Sequence, residues 1–371
     1  MKKYEQSAVD FLCTQTETTD VHGAEVVIKA SPYEKRGGYV DPLVFEGMKE
    51  HWVGRREGQE EQQTLSPEDA LQAMRDNMGF PNLNLNDVEI HTKYECINFD
   101  GNDVGLWRYY TRKSMRKPGK PCFIFLHGGG WIGGSTYTVE NPCKLIAQLA
   151  DAVVFNIDYS LAPEKKFPHG FNDCFNAVKH IYDHAEEYGI DKNKIGLGGD
   201  SAGGNLTAAV SMKSRDLGLN MVALQVLMYP CVTFINEGVE GYKWDINEFE
   251  MAEEQKDFIP NLLGIGKPSG DKEELMMGGQ YIPTIEGAYH PYVSPMLAHS
   301  KKNLPRALCV SAEFDGLRIQ TEHYGRLMAE AGVEVKTIRY RGMPHAFIDQ
   351  LGYLPQAEDL CIEIAEAVKS L

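Results

Sequence analysis

The sequence predicts an α/β protein built on a mostly parallel, doubly wound sheet of eight strands. Three observations predict it. Short apolar runs such as Cys122–Leu126 and Ala152–Ile157 recur, as strands buried on both faces require. Between them lie segments with apolar residues at helical spacing, such as Phe171, Cys174, Phe175, Val178, Ile181 and Ala185. The links are short, and strand–helix alternation with short links implies parallel strands with helices on both faces.

The elements follow in order. Roughly the first eighty residues are polar and read as mostly helical. The clearest helix there starts at Ser66, which can cap it. Pro67 suits the first helical position, Asp69 the capping-box site, and Gly79 the end. Two strands near Val88–Phe99 and Val104–Thr111 flank a turn, Asp100-Gly101-Asn102-Asp103. Then come strand Cys122–Leu126, a helix near Val139–Ala150, strand Ala152–Ile157 and the long helix through Ala185. Strand Lys194–Leu197 runs into a glycine-rich turn and a helix ending near Ser214, followed by strand Val222–Met228. Residues 231–300 show no clean strand and read as a partly helical insertion. The alternation resumes with Ala307–Val310, a helix near Arg318–Ala331, a strand near Glu334–Tyr340 and a helix near Gln356–Leu371. Functional loops in such a sheet gather at the carboxyl ends of the strands. The domains expected are an N-terminal helical region, 1–87, and an α/β domain, 88–371, that carries the insertion at about 231–300.

Composition narrows the class. With 43% hydrophobic and 24% charged residues, the chain is that of a globular protein able to bury a large core. A formal net charge of −16 argues against nucleic acid and anionic membrane surfaces, which both attract basic patches. No apolar run has the length of a signal peptide or a membrane span, so a cytoplasmic protein is expected. The eight cysteines are scattered with no C-x-x-C pair and read as reduced, small hydrophobes. The glycosylation triplet at Asn205 falls in a helix expected to be buried, and is discounted.

Four stretches carry chemistry. Gly199-Asp200-Ser201-Ala202-Gly203 lies between a predicted strand and a predicted helix. A serine there is lifted off the sheet on a tight turn, and the helix start favours developing negative charge. Ser201 is therefore the candidate nucleophile. His127-Gly128-Gly129-Gly130-Trp131 follows the third predicted strand. Three glycines expose backbone N–H groups, and Gly128, Gly129 and Ala202 are the candidate oxyanion donors. No Lys-Ser/Thr pair follows, so this is not a P-loop. The base belongs late in the chain, because the order is serine, acid, histidine in this arrangement. His323 falls inside a predicted helix, whereas His345 sits in the loop after the last strand and is chosen. Asp315, opening the turn after the seventh predicted strand, is the candidate acid, with Glu313 the alternative.

Together, His127-Gly-Gly-Gly-Trp131, Gly199-Asp-Ser-Ala-Gly203, Asp315-Gly-Leu and the late Gly342-x-x-His345-x-Phe347 resemble the hormone-sensitive-lipase-like esterases, in their bacterial Gly-Asp-Ser-Ala-Gly branch. Asp158–Glu164 and Tyr292-Val-Ser-Pro295 fit as well, although Ser160 stands where that family usually has Arg. The resemblance covers roughly residues 88–371. It implies an α/β-hydrolase fold, a small-molecule ester as substrate, no cofactor and no metal. It also implies a helical cap built from the N-terminal region and the 231–300 insertion. With Trp131 as a wall, it suggests short acyl groups, acetyl to butyryl.

Weaker signals are weighed against plain structural roles. Phe234, Tyr242, Trp244, Phe249 and Phe258 are either pocket lining or the cap's own core, with Trp244 and Trp131 the substrate candidates. His180 and His184 share a helix face, but no Glu follows as in H-E-x-x-H, so a solvated face is favoured over a metal pair. An amidase or peptidase would use the same triad. A receptor without catalysis is a third reading, opposed by the presence of His345. Neither heptads nor an apolar patch decide between a monomer and a homo-oligomer.

Overall fold

The computed structural model describes residues 1–48, 66–116, 118–236, 239–264 and 278–371. Parts of the N-terminal helical region (49–65) and of the insertion (237–238, 265–277) lie outside the described residues.

Among the described residues ten strands form one sheet: β1 (Thr16–Val21), β2 (Ala24–Lys29), β3 (Ile90–Phe99), β4 (Asn102–Thr111), β5 (Lys120–Leu126), β6 (Val153–Asp158), β7 (Ile190–Asp200), β8 (Leu224–Met228), β9 (Arg306–Phe314) and β10 (Val335–Pro344). Their order is β1-β2-β10-β9-β8-β7-β5-β6-β4-β3. From β2 to β6 every pairing is parallel. The two antiparallel hairpins, β1–β2 and β3–β4, close the edges.

Side chains alternate across this sheet as the pleat demands. Phe123 and Phe125 of β5 join the core under the helices Glu140–Ala150 and Pro355–Lys369. Cys122, Ile124 and Leu126 join the core under His169–Asp183 and Ala202–Asp216. The helix Arg318–Glu330 packs on the latter face beside β9.

The eight strands read from the sequence are β3 to β10. The N-terminal reading needs correction, because residues 16–29 are a strand hairpin and not helical. The turn His22-Gly23 has φ of 51° and 86° at its two central residues, the geometry of a tight two-residue hairpin loop. Of this hairpin, β1 is exposed, and Val26 and Ile28 of β2 form a small core of their own. A buried ion network docks it: Lys29, 1% exposed, meets Asp359 at 2.9 Å and Glu363 at 2.8 Å on the last helix. The Tyr340 hydroxyl donates to Asp359 at 2.7 Å. The helix Pro67–Asp76 forms as expected, with Ser66 Oγ accepting the Asp69 N–H at 3.1 Å. Asn205 is fully buried, so its glycosylation triplet is inert. Among the described residues all eight cysteines are free thiols, and no helix is long and apolar enough to cross a membrane.

Candidate active site

Ser201 stands between β7 and the helix Ala202–Asp216 with φ 53° and ψ −115°. A serine with Cβ pays for that conformation in strain, which the turn imposes. Gly199 and Gly203 are required by space: a Cβ on either would run into the Leu126 carbonyl of neighbouring β5. The sheet order sets Ser201 beside the ends of β8, β9 and β10. Asp315 follows β9, and His345 follows β10. The three meet: His345 Nε2 lies 2.9 Å from Ser201 Oγ, and His345 Nδ1 lies 2.7 Å from Asp315 Oδ2. Because Asp315 accepts at Nδ1–H, Nε2 is left to accept the serine proton.

Burial opposes charge on His345, but the neighbouring Asp315 and Asp200 carboxylates outweigh it and raise its pKa above the ordinary 6.5. The other Asp315 oxygen accepts the Leu317 N–H at 2.8 Å, and the Asp315 carbonyl accepts the Arg318 N–H at 2.9 Å. Glu313, the alternative acid candidate, makes no hydrogen bond to His345. Its carboxylate accepts the Gly342 N–H at 2.7 Å and so holds the histidine-bearing loop. His323 lies on the helix Arg318–Glu330, away from the triad's hydrogen bonds.

The oxyanion expectation changes at one residue. The Gly128 N–H is spent on Asp200 Oδ1 at 2.8 Å, so it is not free for a substrate oxygen. Among the described residues the N–H groups of Gly129, Gly130 and Ala202 donate to no protein acceptor. Gly129 and Gly130 have φ of 121° and 61°. A Cβ at Gly129 would strike the Gly133 carbonyl. Gly130 thus stands beside Gly129 and Ala202 as a candidate donor, in the place expected of Gly128. His127 steadies the loop: its ring donates to the Gly128 carbonyl at 2.8 Å and stacks 4.4 Å from Tyr159, whose hydroxyl donates to the His127 carbonyl at 2.6 Å.

Trp131 is buried, stacks on Tyr281 at 4.6 Å and meets Phe234 tilted at 5.2 Å. Trp244 is braced elsewhere. Its indole N–H donates to the Gly316 carbonyl at 3.0 Å, beside the acid, so it positions that loop with its only polar atom. Of the other insertion aromatics, Phe249 and Phe258 pack against the core below and Tyr242 against the helix Arg318–Glu330. His180 stacks on His184 at 4.1 Å and hydrogen-bonds the Tyr188 hydroxyl at 3.1 Å.

Three neighbours were not singled out from the sequence. Asp200, the variable residue of the serine motif, is buried, and burial pushes its carboxyl up to about 6. Tyr229 has φ 36°, and its ring lies 4.9 Å from that of His345. Arg75, on the N-terminal helix, donates to the Ile132 carbonyl at 2.7 Å and the Ala162 carbonyl at 2.9 Å and pairs with Glu164. Only Asp200 had a signal, its place beside Ser201. The others depend on contacts across long stretches of chain.

Residues 123–349 match a family model described as the alpha/beta hydrolase fold. An arylesterase of Saccharolobus solfataricus is 38% identical over 240 residues, 63% of this chain and 70% of the relative. The esterase LipI of Mycobacterium tuberculosis is 27% identical over 300 residues, 80% and 87% of the two chains. A solved hyperthermophilic esterase from Pyrobaculum calidifontis superposes with a TM-score of 0.68 at 28% identity, covering 90% of this chain and 98% of its own. The chain therefore belongs to the α/β-hydrolase family, among its hormone-sensitive-lipase-like carboxylic-ester hydrolases.

Proposed function

We propose that this hydrolase cleaves short-chain acyl esters, acetyl to butyryl, through an acyl-enzyme on Ser201. The observation that carries the reading is the unbroken relay Ser201 Oγ, His345, Asp315, at 2.9 and 2.7 Å. His345 takes the Ser201 proton as Oγ attacks the ester carbonyl. The N–H groups of Gly129, Gly130 and Ala202 hold the oxyanion. His345 then protonates the departing alcohol. Water, deprotonated by His345, releases the acid. Asp315 keeps the imidazole in the required tautomer and stabilises its protonated form.

Two observations support the finer parts. The Trp131, Tyr281 and Phe234 rings pack together beside the oxyanion loop, which favours a short acyl group. The N-terminal segment and the insertion pack on each other, as the two halves of a cap would. The Ala252 N–H donates to the Gly38 carbonyl at 2.9 Å, the Val40 N–H to Gln255 Oε1 at 2.8 Å, and Phe45 meets Phe258 edge-on at 4.9 Å. The eight free thiols suit a reducing compartment, which supports a cytoplasmic location.

The test is hydrolysis of nitrophenyl esters from acetyl to dodecanoyl, with the native enzyme and Ser201→Ala in parallel. Turnover that peaks at short chains and vanishes in the variant is expected. A peak at long chains overturns the short-acyl reading. Activity that survives Ser201→Ala overturns the acyl-enzyme.

A further inference from the structure

The Gly130 N–H, one of the three proposed oxyanion donors, belongs to the same peptide group as the Gly129 carbonyl. That peptide is trans. In a trans peptide the two point in opposite directions, so whatever holds the carbonyl aims the N–H. The Gly129 carbonyl accepts two hydrogen bonds, from the Gly133 N–H at 2.9 Å and from the Ile132 N–H at 3.2 Å. The Gly133 N–H in turn shares its peptide group with the Ile132 carbonyl, and that carbonyl accepts Arg75 Nε–H at 2.7 Å. We infer that Arg75 is a positioning residue of the oxyanion hole, which orients and polarises the Gly130 N–H through these two peptide groups. The inference rests on the acyl-enzyme reading above and adds to it a residue of the N-terminal segment.

The sense of the chain suits the chemistry, because the cation stands at the carbonyl end and an N–H is left at the other. A donor on a carbonyl oxygen draws electron density toward it and makes the N–H of the same amide a stronger donor. Such strengthening passes along a chain of hydrogen bonds at roughly 10–30% per bond. Arg75 supports the second bond to Gly129 as well. Its Nη2 donates to the Ala162 carbonyl at 2.9 Å. The Ala162 N–H donates at 2.9 Å to the Trp131 carbonyl, whose peptide group carries the Ile132 N–H. Both amides that grip the Gly129 carbonyl are therefore steadied by one guanidinium.

The plain alternative is a staple that only fastens the helix Pro67–Asp76 to the sheet domain, and the surrounding contacts argue against it. The segment is fastened by others. A Cβ at Gly133 would strike the Met78 side chain, Asn82 Nδ2 donates to the Thr138 carbonyl at 2.7 Å, and the Leu83 N–H donates to the Leu351 carbonyl at 2.9 Å. The Arg75–Glu164 pair, with bonds of 2.8 and 2.7 Å, lies out toward solvent, the Glu164 side chain being 58% exposed. An exposed pair contributes little to stability. What this one does is set the plane of the guanidinium, so that Nε faces Ile132.

The test is inhibition by an alkyl trifluoromethyl ketone whose chain matches that of the best nitrophenyl ester. Ser201 Oγ adds to its carbonyl carbon, the Oγ proton passes to His345, and the carbonyl oxygen takes the electron pair as an oxyanion. Its Ki therefore reads the hole. In Arg75→Met, Ki should rise and kcat fall by about ten-fold, a fraction of the roughly 10²–10³ that a whole lost donor costs, with KM within about two-fold of native. Glu164→Gln removes the carboxylate that offsets the guanidinium but keeps the Ile132 bond, so its Ki should equal the native value or fall below it. If circular dichroism shows Arg75→Met to fold poorly, Arg75→Lys takes its place. It keeps the cation and loses the planar Nε donor, and Ki should rise by a smaller factor. An unmoved Ki in the folded Arg75 variant, or an equal rise in Glu164→Gln, overturns the inference and leaves the acyl-enzyme standing. A native enzyme that binds the ketone no more tightly than Ser201→Ala does overturns both.

Discussion

The Asp200 carboxylate accepts the Gly128 N–H at 2.8 Å, tying the residue before the nucleophile to the first glycine of the oxyanion loop. The tie spans neighbouring strands β7 and β5, and it fixes which N–H groups are left for substrate. Asp200→Ala removes the acceptor and lets the loop drift, so kcat should fall by about 10²-fold, near the cost of one lost oxyanion donor. Asp200→Asn keeps an oxygen facing Gly128 and should retain most of kcat. It also removes one of the two carboxylates that raise the His345 pKa, so the acid limb of its kcat/KM profile should move to lower pH. Pre-steady-state and pH-rate measurements on the two variants separate tether from charge.

His345 gives a pH dependence of fixed sign. It must be neutral to accept the Ser201 proton. Its pKa in the free enzyme lies above the ordinary 6.5, because Asp315 and Asp200 outweigh the effect of burial. Activity is therefore full on the alkaline side and is lost as pH falls through that raised value. Asp315→Asn deletes the carboxylate with the stronger hold on the His345 pKa. The acid limb should shift down, and kcat should drop by about 10⁴-fold as the tautomer is lost. A pH-rate profile with an unmoved acid limb would remove Asp315 from the relay.

Lys29 tests the N-terminal hairpin. Its ammonium is buried with Asp359 and Glu363, so Lys29→Met leaves a buried carboxylate without its cation. Breaking such a pair costs about 3–5 kcal/mol, which urea unfolding would read directly. No triad contact is touched, so KM of the folded variant should be unchanged. A loss below about 1 kcal/mol would mean that β1 and β2 are an appendage to the sheet.

The central strands and the three candidate residues that meet, Ser201, His345 and Asp315, were legible because their signals are local. Five apolar residues from Cys122 to Leu126 announce a strand whatever surrounds them, and Gly199–Gly203 announces its turn by sterics alone. The hairpin Thr16–Lys29 was not, because β1 is an exposed edge with almost no buried side chain. Its single local signal was the His22-Gly23 turn. The bond that occupies the Gly128 N–H was hidden for a different reason. Which of three consecutive glycines offers its N–H depends on where the Asp200 side chain reaches, and no spacing rule contains that. Trp244 is similar, since its partner Gly316 lies far along the chain and the indole looks like pocket lining until that bond is seen.

On the proposed short-acyl function, Trp131 sets the acyl-chain limit. Its ring packs against Tyr281 and Phe234, so truncation opens space beside the oxyanion loop. Trp131 has φ 61°. Alanine meets the same backbone strain as tryptophan there, so the backbone term cancels and the cavity remains. Trp131→Ala should lower stability by about 3–5 kcal/mol, as buried aromatic truncations do. It should raise kcat/KM for octanoyl relative to acetyl esters by about ten-fold or more, since each methylene accommodated is worth about 1–3 kcal/mol. A parallel fall for both esters would show that the ring only holds Tyr281 in place, and the acyl limit would then have to come from the cap.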